Sequence, residues 1–168
     1  MSAGYADDAP ATASSGFWIV ATGSVVAVIL LILALVYNSG RTARIGSLYV
    51  SLAAPANQAA TASVNAYQRD QRTNLAAAKA DLVKLEKAYA SFDTSIRAVT
   101  LPRTAGGAAL INANLKREAL IRQQEKATTL RQLRSFNGRV NSANAAVQAQ
   151  VQQARTALGL PPASGLQF

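Results

Sequence analysis

The sequence predicts an all-α chain: one N-terminal transmembrane helix followed by a long antiparallel helical hairpin or a three-helix bundle. Three observations carry this prediction. Residues 17–37 form a run of 21 residues without a single charge. Downstream, apolar residues recur at intervals of three and four along two long segments, the spacing that keeps one face of a helix apolar. The prolines and glycines gather at a few points and leave long stretches between them uninterrupted.

Residues 1–15 are rich in Ala, Ser, Gly and Asp around Pro10, a composition too poor in apolar area to order itself, and they read as a flexible tail. The transmembrane helix covers 16–38. Its uncharged core, at 1.5 Å per residue, extends roughly 31 Å and matches the hydrocarbon thickness of a bilayer. Thirteen of its residues are Leu, Ile, Val or Phe, and their summed insertion preference, near 6 kcal/mol, outweighs Thr22, Gly23 and Ser24. Phe17 and Trp18 at one end and Tyr37 at the other take the headgroup boundary that aromatic side chains prefer. A cleaved signal peptide would need a basic start, a shorter apolar run and a small-residue cleavage site. This run has none of the three.

All 17 basic residues follow the span, against six of the eight acidic ones, so the later domain carries a formal +11 and the leading tail −2. Arg41 and Arg44 flank the span on one side while no basic residue flanks the other. The positive-inside rule then places the C-terminal domain in the cytoplasm, although large domains can cross a membrane whatever their charge, so the extracytoplasmic orientation stays open.

Asn38-Ser39-Gly40 reads as a break. Residues 39–54 follow as a membrane-proximal connector or a short amphipathic helix, with Ile45, Leu48, Tyr49 and Leu52 at helical spacing. Pro55 suits the first turn of a new helix, where its missing N–H is no loss. From Pro55 to about Val99 there is no further Pro and no Gly. Within that stretch Leu75, Ala78, Leu82, Leu85, Tyr89, Phe92, Ile96 and Val99 make a heptad seam, and Asp81, Lys84, Lys87 and Arg97 lie off it, toward water.

Residues 101–107, Leu-Pro-Arg-Thr-Ala-Gly-Gly, form a turn. The second arm runs from about Ala108 to Leu158, with its seam at Leu130, Leu133, Phe136, Val140, Ala143, Val147, Val151, Ala154 and Leu158. Asn137-Gly138 is the point where it would bend or break and convert the hairpin into a three-helix bundle. Gly159 fits the residue just past a helix end and Pro161-Pro162 forbids continuation, which bounds the helical domain at 55–160 and leaves 161–168 as a tail.

With Phe92-Asp93, Ile96 and Pro102 ahead of a long helix that ends Ala157-Leu158-Gly159-Leu160-Pro161-Pro162, the chain resembles a loose class of uncharacterised bacterial single-span membrane proteins carrying helical bundles. The resemblance covers about the last 75 residues and implies a bundle outside the cytoplasm, the reverse of the charge argument. The order of anchor, Tyr37-Asn38 and long helices is also similar to the LemA family, without the charged motif that follows Tyr-Asn there. Neither resemblance supplies a catalytic residue.

The side chains of common chemistry are missing. There is no Cys, no His, and Met occurs only at position 1, so ordinary zinc, haem, copper and iron–sulfur ligands are absent, as is the base for a Cys–His or Ser–His nucleophile. The sequence therefore predicts no catalytic residue, no metal and no cofactor. Asp70, Asp81, Glu86 and Asp93 each have a basic residue near in sequence and read as solvated charges. Gly106-Gly107 lacks the Lys and the preceding strand of a phosphate loop.

What remains is a basic run: Lys116, Arg117, Arg122, Lys126, Arg131, Arg134 and Arg139, against Glu118 and Glu125 alone. It reads either as a solubilising face or as a surface for anionic lipid or an acidic protein. Nucleic acid is disfavoured for want of interleaved aromatic residues. The expected function is a non-enzymatic accessory or scaffold subunit of a bacterial membrane protein complex, in contact with lipid and with other subunits or its own copies. The alternative is a self-associating membrane-tethered coiled coil that organises the membrane or envelope.

Overall fold

The structure, a computed structural model, describes the backbone of residues 16–163 and 168 and the side chains of residues 37–163 and 168. The tail at 1–15 and most of the side chains of the 16–38 segment, including Phe17 and Trp18, lie outside the described residues. Among the described residues there is no strand, and no helix is long and apolar enough to cross a membrane.

The described residues form five α-helices and one 3-10 turn: α1 (Gly16–Asp70), α2 (Leu75–Arg97), the turn Arg103–Ala105, α3 (Gly107–Glu125), α4 (Leu130–Ser135) and α5 (Asn137–Ala157). The chain divides at Gly40 into two units. Of the first, the structure describes helical backbone from Gly16 and an exposed Tyr37 side chain, 74% accessible. The second, Arg41–Phe168, is a helical bundle.

The expected break at Asn38-Ser39-Gly40 does not occur, and the backbone is helical through it. One Gly in a helix costs only about 0.5–1 kcal/mol relative to Ala, too little to end a helix that tertiary packing holds. The packing comes from Gly46, Tyr49, Ala53, Ala56, Ala60, Ser63 and Tyr67, all buried and alternating by three and four. Residues 39–54 are thus part of α1 rather than a separate amphipathic helix. Leu48, placed on the apolar face by the sequence, is instead 44% exposed. Pro55 does not begin a helix either. It sits on the exposed side inside α1, where the carbonyl four residues earlier loses its amide partner but can reach water.

The predicted first arm is cut in two. The run Arg69–Asn74 has no apolar side chain to bury, and Asn74 caps α2 by accepting the Ala77 amide at 3.0 Å, so the chain turns back within four residues. The predicted second arm is cut twice. At residues 126–129 Thr129 caps α4 by accepting the Gln132 amide at 3.1 Å, and Gln132 reaches back to the Thr128 amide at 2.8 Å, a variant of the reciprocal Thr-x-x-Gln cap. The corner between α4 and α5 falls at Phe136, one residue before the expected Asn137-Gly138.

Long helices joined by short connections run antiparallel, and cross-links set the levels. Tyr49 meets Phe92 at 6.1 Å between ring centroids. Tyr67 donates to Asn137 at 2.8 Å, and Lys79 donates to the Ala127 carbonyl at 3.3 Å. Gln153 donates to the Thr104 carbonyl at 3.4 Å. The part of α1 after Arg41, α2, α3 and α5 therefore alternate in direction as a four-helix bundle, with α4 as a short link. This replaces the two-arm hairpin and the three-helix bundle.

Both predicted seams point inward. Ala78, Leu82, Leu85, Tyr89, Phe92 and Ile96 are buried on α2, and Leu133, Val147, Val151, Ala154 and Leu158 on α4, α5 and the α5 cap. Leu75, Phe136 and Val140 are half-buried, and Val99 lies beyond the end of α2. Gly159, at φ +67°, closes α5: its amide donates to the Thr156 carbonyl at 3.1 Å and the Leu160 amide to that of Arg155 at 2.9 Å, the Schellman pairing.

Candidate functional site

The central feature of the bundle is a buried charge network. The sequence places Arg117 in a solvated stripe, but its guanidinium is fully buried, at 0% exposure. It lies 3.4 Å from the centroid of the Tyr89 ring and 5.0 Å from that of Phe168. One of its terminal nitrogens donates to Asn114 Oδ1 and the other to Asn144 Oδ1 at 3.4 Å. Phe168 stacks on Phe92 at 3.7 Å and meets Tyr89 edge-on at 5.8 Å, so Arg117 is walled by aromatic rings. A cation taken from water is stable there because the ring faces and the amide oxygens replace its hydration. Burial lowers Arg117 to about 10, which leaves it charged at neutral pH.

Two carboxylates share the site. Asn114 Nδ2 lies 2.7 Å from Asp93 Oδ1, 3.2 Å from Glu118 Oε1 and 3.2 Å from the Tyr89 carbonyl, three acceptors around one amide group. Asp93 and Glu118, read from sequence as solvated or as partners of a basic face, are both buried. Burial raises Asp93, partly offset by the Asn114 hydrogen bond. Burial, and then the neighbouring Asp93 charge, push Glu118 up to about 7. The two carboxyls feel one another's charge and titrate as a pair. Asp93 Oδ2 and Arg117 Nε are buried without a hydrogen-bond partner among the described residues. Asp81, expected to face water, is buried as well and meets Lys84 at 3.2 Å.

A second, uncharged network lies one end further along. Gln124 Nε2 reaches Tyr67 Oη at 2.6 Å, the Leu133 carbonyl at 2.9 Å and Asn137 Oδ1 at 2.9 Å. Asn137 donates to Gln71 Oε1 at 2.8 Å. Burial pushes Tyr67 up to about 12, and Tyr49 likewise. Neither phenol is a proton carrier at physiological pH.

The other residues of the predicted basic stripe are all on the surface. Lys116, Arg122, Lys126, Arg131, Arg134 and Arg139 are exposed, as are Arg41 and Arg44. Arg122 spends its charge on Glu86 at 2.7 Å. Arg134 donates to the Gln71 carbonyl at 3.2 Å and Arg139 to Gln123 at 3.1 Å. Lys126 and Arg131, with Arg72 in the turn after α1, make no ion pair among the described residues and stand at the same end of the bundle. The stripe is thus three things: one buried ion, several braces, and a small exposed basic end.

The residues missed from sequence are Asn114, Asn144, Gln124 and Phe168. A signal for two of them exists in α3, where Leu110, Asn114, Arg117, Ile121 and Gln124 alternate by four and three and are all buried. That is a heptad seam whose members are mostly polar. No group of His, Cys, Asp or Glu among the described residues is arranged to hold a metal ion. No protein-family model, curated protein or solved structure matches the chain.

Proposed function

We propose that this chain is a non-enzymatic accessory or scaffold subunit of a larger bacterial membrane protein complex, anchored by residues 16–38 and offering its bundle as a packing surface. The observation that supports it best is the division of the charges. Arg117 and its carboxylates are turned inward and consumed by internal partners. Arg72, Lys126 and Arg131 are turned outward at one end and make no ion pair among the described residues, and an acidic face of a neighbouring subunit would complement them there. A buried charge network walled by aromatic rings and held by asparagines helps to fix a fold, which suits a packing role.

The competing reading, a self-associating coiled coil that organises the membrane or envelope, needs an apolar seam left open for another copy. The seams of α2 and α5 are occupied within one bundle, which favours a partner of different sequence. The positive-inside rule favours a cytoplasmic bundle in a single-pass protein of the bacterial cell membrane. Gentle detergent extraction followed by native mass measurement tests the reading. Companions of other sequence, lost in a Lys126→Glu/Arg131→Glu variant, are the expected result. A homo-oligomer unaffected by that variant would overturn it.

A further inference from the structure

At the end of the bundle opposite Lys126 and Arg131, the C-terminus of α2, the turn after it and the start of α3 enclose an open cleft of about 620 Å³. Val99, Leu101, Pro102 and Ile111 give it apolar walls, Arg97 and Arg103 stand in its lining, and no carboxylate is among the residues that line it. Both arginines are exposed. Arg41 and Arg44, also exposed, belong to the same end, because Tyr49 of α1 lies level with Phe92 of α2 and the two helices run antiparallel. None of these four guanidinium groups makes an ion pair or hydrogen bond among the described residues. In this they differ from Arg122, Arg134 and Arg139, which are all engaged.

We propose that this cleft and its arginines form a binding site for an anionic phospholipid of the bilayer surface. The apolar walls would take the upper part of an acyl chain, and the guanidinium groups would take the phosphate. The occupant follows from the combination: a soluble anion has no use for the apolar walls, and an apolar peptide has none for four exposed cations. The proposal rests on the membrane-anchored reading above. In sequence Arg41 and Arg44 follow the uncharged run by only four and seven residues, so an inserted run keeps these two arginines within reach of the headgroups along the chain.

The test uses the full chain in detergent, titrated with phosphatidylglycerol or with phosphatidylcholine and followed by native mass spectrometry. Phosphatidylglycerol should be retained preferentially. Each arginine near an anionic surface is worth about 1 kcal/mol, or roughly fivefold, so Arg97→Gln/Arg103→Gln should weaken its retention about 25-fold. Lys126→Gln/Arg131→Gln at the other end should leave it unchanged. Equal retention of both lipids, equal loss in the two double variants, or displacement of the lipid by inorganic phosphate would each overturn the assignment. Quenching of Trp18 by brominated lipid in reconstituted vesicles reports the anchor separately. Quenched Trp18 with no lipid preference removes the cleft proposal alone, and unquenched Trp18 removes the anchored reading on which it rests.

Discussion

Replacing Arg117 by Met removes a buried charge and nearly preserves volume, and the network around it sets the size of the effect. The wild-type guanidinium stacks on Tyr89 at 3.4 Å and donates to Asn114 and Asn144. Its loss leaves Asp93 and Glu118 buried with no cation inside the site. Arg97 acts on Asp93 from the surface, and Arg122 on Glu118 at 3.8 Å with Glu86 opposing it. Leaving buried charge uncompensated costs up to about 3–5 kcal/mol, a large part of the 5–15 kcal/mol that holds a domain together.

The cost must also depend on pH. In the folded chain Glu118 already binds its proton more tightly than an unfolded Glu, so its contribution to stability falls as pH rises from the ordinary carboxyl range through about 7. Without Arg117 both carboxyls move further up. The variant should therefore be penalised in full at about pH 8 and regain about half of the loss, about 1–2 kcal/mol after allowance for screening, at about pH 5, where Glu118 is protonated. Urea melts of residues 41–168 followed by circular dichroism measure this. The triple variant Arg117→Met/Asp93→Asn/Glu118→Gln should return to within about 1–2 kcal/mol of wild type, because no unpaired charge remains. An Arg117→Met protein as stable as wild type at high pH, or destabilised equally at both pH values, would refute the reasoning.

Three further outcomes are expected. Residues 41–168 expressed without the upstream segment should melt cooperatively and independently of concentration, whereas 55–160 should be marginal, since it lacks Tyr49 and Phe168, each worth about 1.5–3 kcal/mol of burial. Gly159→Ala, forced to φ +67° at the end of α5, should lower stability by about 1 kcal/mol, seen as a small drop in the midpoint of the same melt. In the chain's natural absence of cysteine, Ser142→Cys on the exposed side of α5 gives a unique thiol. An impermeant reagent applied to intact cells should leave it unlabelled if the bundle is cytoplasmic, and labelling would reverse the orientation.

The helical class and the two apolar seams could be read from sequence because Leu, Val, Phe and Tyr carry strong periodic signals. The α1 seam could not. Gly46, Ala53, Ala56, Ala60 and Ser63 bury little area each and stand among other alanines, so the period that selects them is nearly invisible in hydropathy. The missed turns have the same origin in residue type. Asn74 before Leu75, and Thr129 three residues before Gln132, are capping signals written in polar residues, while the search for breaks relied on Pro and Gly. Pro55 then pointed to a boundary that packing overrides.

The charge network was hidden for a related reason. In α3 the inward positions Leu110, Asn114, Arg117, Ile121 and Gln124 alternate apolar with polar, so the helix looks solvated although it packs against both α2 and α5. That arrangement answers a weakness of alanine-rich seams. A slide of one turn along Ala53, Ala56 and Ala60 replaces small residues with small residues and is scarcely resisted by packing. The same slide would part Tyr67 from Gln124 and Asn137, and a slide of α3 would part Asn114 from Asp93 and Arg117 from Asn144; each buried group left unpaired costs about 1–3 kcal/mol. The polar ladder distinguishes one register from its neighbours where the apolar contacts do not. A bundle held in a single register presents the same surface every time it folds, which is what the proposed packing role requires.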